Sequence, residues 1–136
     1  MTFFYQNLEK FKPYEIEAAK RIIQLNNTEI LKWCNNYKYD FKTADNFKYK
    51  VKTEPMSLKT GNFLIEFYGY GKETEITTTK ANFYIISDTI NYYLINTNVL
   101  KKIIGDNKFP MQKTRDKTTI GYLVSKNIII ENSIII

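Results

Sequence analysis

Residues 47–54 alternate without interruption. Phe47, Tyr49, Val51 and Thr53 fall on one face of an extended segment, and Lys48, Lys50, Lys52 and Glu54 on the other. This period of two predicts a strand, ended by Pro55, which cannot donate to a ladder. Residues 37–43 alternate as well. Ala44, Asp45 and Asn46 between the two segments supply the chemistry of a turn. Residues 56–62 read as a loop closed by Gly61, residues 63–68 as an apolar third strand, and 69–74 as a flexible loop containing two glycines.

Upstream, residues 1–12 show no clear period and read as a loose lead-in. Pro13 suits a first helical turn. Ile16, Ala19, Ile22 and Ile23 then recur at helical spacing, so 14–25 predicts an amphipathic helix, with Glu15 and Glu17 complementing its dipole. Residues 28–34 fit either a short helix capped by Thr28 or a strand.

Downstream, the pattern predicts a short helix at 77–81, a strand at 82–87, a turn at 88–91 and a returning strand at 92–96. A helix follows at 97–104, with Gly105 as its stop. Residues 105–118 read as polar, basic and irregular, and 120–124 and 127–136 as strands. The last segment, IIIENSIII, is too apolar to stand in water. It is expected to pair with the sheet, with a second copy or with a virus-particle protein. The sum is one α+β domain, an N-terminal helix packed on a central mixed sheet.

Composition narrows the chemistry. A chain of 136 residues suits one core. Twenty Lys and Arg against fourteen Asp and Glu give a formal charge of +6, which favours an acidic partner such as nucleic acid. Histidine is absent, so His triads and His-ligated metals are excluded. The one cysteine, Cys34, makes no internal disulfide, which fits a reducing, cytoplasmic setting, whether host cytoplasm or virion. No apolar run spans a bilayer and no signal-peptide pattern opens the chain, so no membrane partner is expected. Abundant Asn, Ile, Lys and Tyr beside two Arg point to an AT-rich gene, as in a phage or virus.

Asp40 lies on the first of the three central strands, Lys50, Lys52 and Glu54 on one face of the second, and Glu66 at the end of the third. Same-face neighbours on a strand stand about 7 Å apart. If Asp40 faces the same way, the acids and Lys52 form one cluster. Acidic oxygens that hold a divalent ion, beside a lysine that steadies charge, are what phosphodiester hydrolysis needs. The lysine face also has an ordinary reading as the solvated side of a strand guarded against edge pairing.

The ordered motifs resemble the PD-(D/E)xK nuclease superfamily, in particular small phage and bacterial members. They are Tyr39-Asp40; Val51-Lys52-Thr53-Glu54; Thr60-Gly61-Asn62 leading into a strand that ends in Glu66; Gly71-Lys72; and Ile76-Thr77-Thr78-Thr79-Lys80-Ala81 before Asn82-Phe83-Tyr84. The likeness covers about residues 37–105. It implies a restriction-endonuclease-like core acting on or binding DNA, with Mg²⁺ or Mn²⁺ as cofactor. Asp40, Lys52 and Glu66 would be catalytic; Asp40, Glu54 and Glu66 would hold the metal. Lys48, Lys50, Lys59, Lys72 and Lys80 would contact nucleic acid. One position departs from the pattern: Lys50 stands where the middle acid belongs, and its ammonium opposes a cation. Either Glu54 or Glu66 supplies the missing oxygen, or the site is inactive and Lys50 and Lys52 contact phosphate. An inactive domain would serve as a nucleic-acid-binding or assembly component of a virus particle.

Overall fold

A computed structural model describes residues 13–34, 38–114 and 117–136. The lead-in 1–12, the predicted strand start at Tyr37, and Arg115 of the basic segment 105–118 lie outside the described residues.

The amphipathic pattern after Pro13 forms helix α1, Pro13–Asn26, burying Ala18, Ala19 and Ile22. The ambiguous segment resolves as a strand, β1 (Ile30–Trp33), which pairs antiparallel with β2 (Phe41–Thr43). β2 turns back through residues 44–46, with Asn46 at φ 71°, into β3 (Lys48–Thr53), setting Phe41 opposite Tyr49. Asn is one of the few residues that tolerates this left-handed geometry.

β3 does not continue into a neighbouring third strand. After Pro55 the chain forms a short helix, α2 (Ser57–Thr60), where the pattern predicted a loop. Gly61 caps it at φ 71°, a conformation that glycine adopts without Cβ strain. Next comes β4 (Asn62–Gly69), which belongs to a second sheet. There it pairs antiparallel with β9 (Thr119–Ser125) and, at its far end, with β5 (Lys72–Glu73). β8 (Met111–Lys113) completes that sheet from inside the segment read as irregular. The flexible loop predicted at 69–74 is thus mostly a hairpin.

The place beside β3 is taken by β6 (Phe83–Ser87), which runs parallel to it and pairs on its other side with β7 (Tyr92–Asn96). β6 is buried at four of its five positions. Such a continuous apolar run suits a central strand covered on both faces. The result is α+β, with a six-stranded mixed sheet ordered β1-β2-β3-β6-β7-β10 and an antiparallel sheet ordered β5-β4-β9-β8.

Three further expectations are corrected. The helix predicted at 77–81 is a 3₁₀ turn, Glu75–Thr77. Helix α3 runs from Thr97 to Asp106, so Gly105 lies inside it rather than beyond it; its start is capped by Asn96, whose side chain accepts from the amides of Asn98 and Val99. The isoleucine-rich tail is not one strand. It forms helix α4 (Lys126–Glu131), which buries Ile129, then a two-residue strand β10 (Ile134–Ile135) on the edge of β7. Packing of Ile129 outweighs the strand preference of β-branched residues. Ile134 and Ile135 remain 54% and 62% exposed.

The mixed sheet has a core on each face. On one, α1 packs its alanines and Ile22 onto Trp33, Phe41, Tyr49, Val51 and Ile85. Phe41 and Tyr49 stack there with ring centroids 5.0 Å apart. On the other, Tyr84, Ile86, Tyr93 and Ile95 meet Phe63, Ile65 and Val124 of the second sheet, with Leu100 and Ile103 of α3.

Candidate functional site

Strand alternation and register place the lysines. Tyr49 and Val51 point to α1, so Lys50 and Lys52 point the other way. Their partners across the parallel ladder are Tyr84 and Ile86, both in the core between the two sheets. The lysine face is therefore the face roofed by the second sheet. The solvated reading fails for Lys50, which is 8% exposed, and β3 is interior rather than an edge.

Asp40 sits at the entrance to β2 and is 7% exposed. Its backbone is fixed by an N–H donated to Tyr49 O at 2.7 Å and a carbonyl that accepts from Cys34 N at 2.8 Å. Its Oδ2 accepts the Val51 N–H at 2.6 Å, and its Oδ1 lies 3.7 Å from Lys50 Nζ. Burial pushes the Asp40 carboxyl up to about 6. The Lys50 charge and the Val51 amide oppose the shift, while Glu15 and Glu75 add to it.

Lys52 pairs elsewhere: its Nζ lies 3.1 Å from Glu66 Oε1, with both side chains about one-fifth exposed. Glu66 alternates out of the core that takes Phe63 and Ile65. It borders two cavities. One, of about 530 Å³, is lined by Lys38, Lys72, Glu75 and Thr78 among others; the second, of about 750 Å³, by Glu54, Asn62 and Lys113 among others. The fold thus brings Asp40, Lys50, Lys52 and Glu66 to the inter-sheet cleft as two lysine–acid pairs. Glu54 stands at one side in the larger cavity, its N–H donated to Ser87 O at 2.8 Å.

The remaining lysines distribute around this centre. Lys72 lines the smaller cavity; Lys59, on α2, and Lys80 are exposed. Lys48 is half-buried, with its Nζ 5.3 Å from the centre of the Tyr39 ring.

These residues, as arranged, do not fit a divalent ion. Mg²⁺ asks for about six oxygens in an octahedron. Asp40 turns one oxygen to an ammonium and the other to an amide, and Glu66 is engaged by Lys52. Among the described residues no three acidic or cysteine side chains gather to hold a metal. Lys50 is the cause: its ammonium already supplies the positive charge beside Asp40.

Sequence patterns gave no sign of two further groups. Glu75 adopts φ 51°, and its Oε2 is buried without a hydrogen-bond partner. Tyr84, 1% exposed, buries its hydroxyl beside Thr79. Burial raises the Tyr84 phenol, and Glu75, Asp40 and Glu66 add to the rise, against a side-chain hydrogen bond with Thr79. Glu75 is thus tied electrostatically to the same centre. A buried acid in a left-handed turn leaves no periodic signal.

A second ion pair joins the two halves of the fold. Asp88, following β6, is 1% exposed and pairs with Lys126 at the start of α4. Its Oδ1 accepts the amides of Ile90 and Asn91 at 2.9 and 2.7 Å. Burial alone would raise this carboxyl, but the amides and Lys126 outweigh it and hold it below the usual range.

The fold and site define a two-sheet α+β protein with a lysine–acid cleft. No protein-family profile matches the chain, and no curated protein sequence matches it. Among the described residues, no helix is long and apolar enough to cross a membrane.

Proposed function

We propose that this chain is a PD-(D/E)xK-like domain with a degenerate catalytic centre, which binds DNA along the cleft between its sheets. The observation that carries the reading is the Lys50 ammonium 3.7 Å from Asp40, at the position where the resemblance calls for a second metal-holding acid. The helix packed on a mixed sheet, with Asp40 entering one strand and the lysine pair on its neighbour, suits a restriction-endonuclease-like core. The overall charge of +6, with Lys38 and Lys72 at one cavity and Lys113 at the other, suits a phosphate backbone running past Lys52 and Glu66.

Phosphate contacts release counterions, so the affinity must fall steeply with salt. Fluorescence anisotropy with labelled DNA across a salt series tests this. Binding should weaken as salt rises and weaken further in a Lys38→Gln, Lys72→Gln, Lys113→Gln triple variant. No binding at low salt would end the proposal. A plasmid incubated with Mg²⁺ or Mn²⁺ should stay intact. Nicking by wild type that disappears in Asp40→Ala and Lys52→Ala would replace this reading with a metal-dependent endonuclease.

A further inference from the structure

The face of β1, β2 and β3 turned away from α1 carries a line of charge that the cleft does not use. By strand register, Lys32 of β1 lies directly opposite Lys42 of β2, and Lys42 directly opposite Lys48 of β3. Residues paired in this way project to the same side of a sheet, so the three lysines form one row across three strands. Phe41 and Tyr49, beside them in sequence, point to the other face and pack under α1. The second sheet does not roof the row. The core between the sheets takes residues from β6 and β7 and, among the described residues, none from β1 or β2. Lys32 is exposed, and Lys42 and Lys48 are half-buried.

Like charges set opposite one another on a sheet repel, so the row costs stability in the free protein. A lysine that guards an edge strand against pairing accounts for Lys32 on β1. It does not account for Lys42 and Lys48, whose strands are paired on both sides. Among the described residues, none of the three is held in an ion pair. Lys48 does lie over the Tyr39 ring, a contact that leaves its charge in place. A chain of anions turns this repulsion into attraction. Neighbouring strands stand about 4.8 Å apart, so the row spans about 10 Å. That is room for about three phosphates of one nucleic-acid strand, at about 3.4 Å of helix axis each. The row also leads into the cleft, because Lys48, Lys50 and Lys52 share one face of β3. We propose that Lys32, Lys42 and Lys48 form a phosphate track that carries one strand of the bound DNA out of the cleft and across β3, β2 and β1 without reading its sequence. This assignment rests on the nucleic-acid reading and extends its contact surface beyond the cleft.

The test measures the anisotropy of two labelled duplexes of unrelated sequence across a salt series. The logarithm of affinity falls against the logarithm of salt by about 0.9 for each phosphate contact. A Lys32→Gln, Lys42→Gln, Lys48→Gln triple variant should therefore flatten that slope by about 2–3. It should also weaken low-salt binding at least about tenfold, equally for both sequences. Lys32→Gln alone, a change at an exposed position, should flatten the slope by about 1. A control variant, Lys101→Gln, Lys102→Gln, Lys108→Gln, removes the same charge from exposed positions on and just after α3 and should keep the wild-type slope. A wild-type slope in the row variants, an equal loss in the control, or a loss confined to one sequence would overturn the track while leaving DNA binding in the cleft standing. Absence of binding by wild type at low salt would remove the nucleic-acid reading and the track with it.

Discussion

Lys52 Nζ and Glu66 Oε1 lie 3.1 Å apart although their strands belong to different sheets. Pairing across that gap ties β3 to β4 at the floor of the cleft. Each side chain is about one-fifth exposed, so the pair is neither fully screened nor fully desolvated. Lys52→Met or Glu66→Gln alone should cost about 1–2 kcal/mol, because each leaves a half-buried partner uncompensated. Urea unfolding in a double-mutant cycle should return a coupling of about 1 kcal/mol. Additive losses would mean that the two groups do not interact in solution.

Asp40 and Asp88 should respond to pH in opposite senses. The folded Asp40 carboxyl sits at about 6 against an ordinary value of 3.8. Between those values the native state binds more protons than the unfolded chain, so this contribution is complete below pH 3.8 and is lost as pH rises to about 6. Its size is roughly 3 kcal/mol at most. Asp40→Asn should flatten stability across that window in pH-dependent denaturation. A carboxyl-carbon NMR titration should place the Asp40 midpoint near 6; a midpoint under the ordinary 3.8 would refute the burial argument.

The folded Asp88 carboxyl is depressed, so its contribution is present above the unfolded value and disappears as pH falls through the folded one. Lys126→Met should leave the buried Asp88 carboxylate with its two amides but no cation. The expected loss at neutral pH is about 2–3 kcal/mol, read by urea midpoint. A midpoint that does not move would show that the amides alone hold the carboxylate.

Gly121 faces Glu66 across the β4–β9 ladder, next to a register shift. A Cβ there would lie 2.8 Å from Leu64 Cδ1 and 2.9 Å from the Ile65 carbonyl oxygen, which is backbone and cannot move aside alone. Gly121→Ala should therefore destabilise by about 2 kcal/mol and displace the strand that carries Glu66. Thermal unfolding measures the first effect, and the amide shift of Glu66 the second. An unchanged melting temperature would contradict the packing.

Glu75→Gly should raise stability by about 1 kcal/mol, since glycine accepts the φ of 51° without Cβ strain and the buried carboxylate is removed. A higher melting temperature is the signature of a residue that costs the fold stability where it stands. A lower one would mean that Glu75 makes a stabilising contact.

Much of this fold was legible in the chain. Spacing of Ile16, Ala19 and Ile22 gave α1, and alternation from Phe47 to Glu54 gave β3 with its lysines on one face. The returning pair 82–87 and 92–96 matches β6 and β7 within a residue. Of the candidate site residues, Asp40, Lys50, Lys52 and Glu66 all reach the cleft, but they meet as Asp40 with Lys50 and Lys52 with Glu66.

Which face of β3 meets water was not legible, nor was the sheet that receives β4. Nor did the isoleucines of 128–136 reveal that they divide between α4 and β10. Periodicity is a local property: the covalent geometry of a strand or helix alternates side chains whatever lies beyond it. Strand partnership is a competition among distant segments for the same ladder. β6 won the place beside β3 because its buried run needs cover on both faces, which sent β4 to β9 and closed a roof over the lysines. The amino-acid order alone determined the elements and the charges they carry; only the packing of one sheet on the other decided that those charges meet inside a cleft.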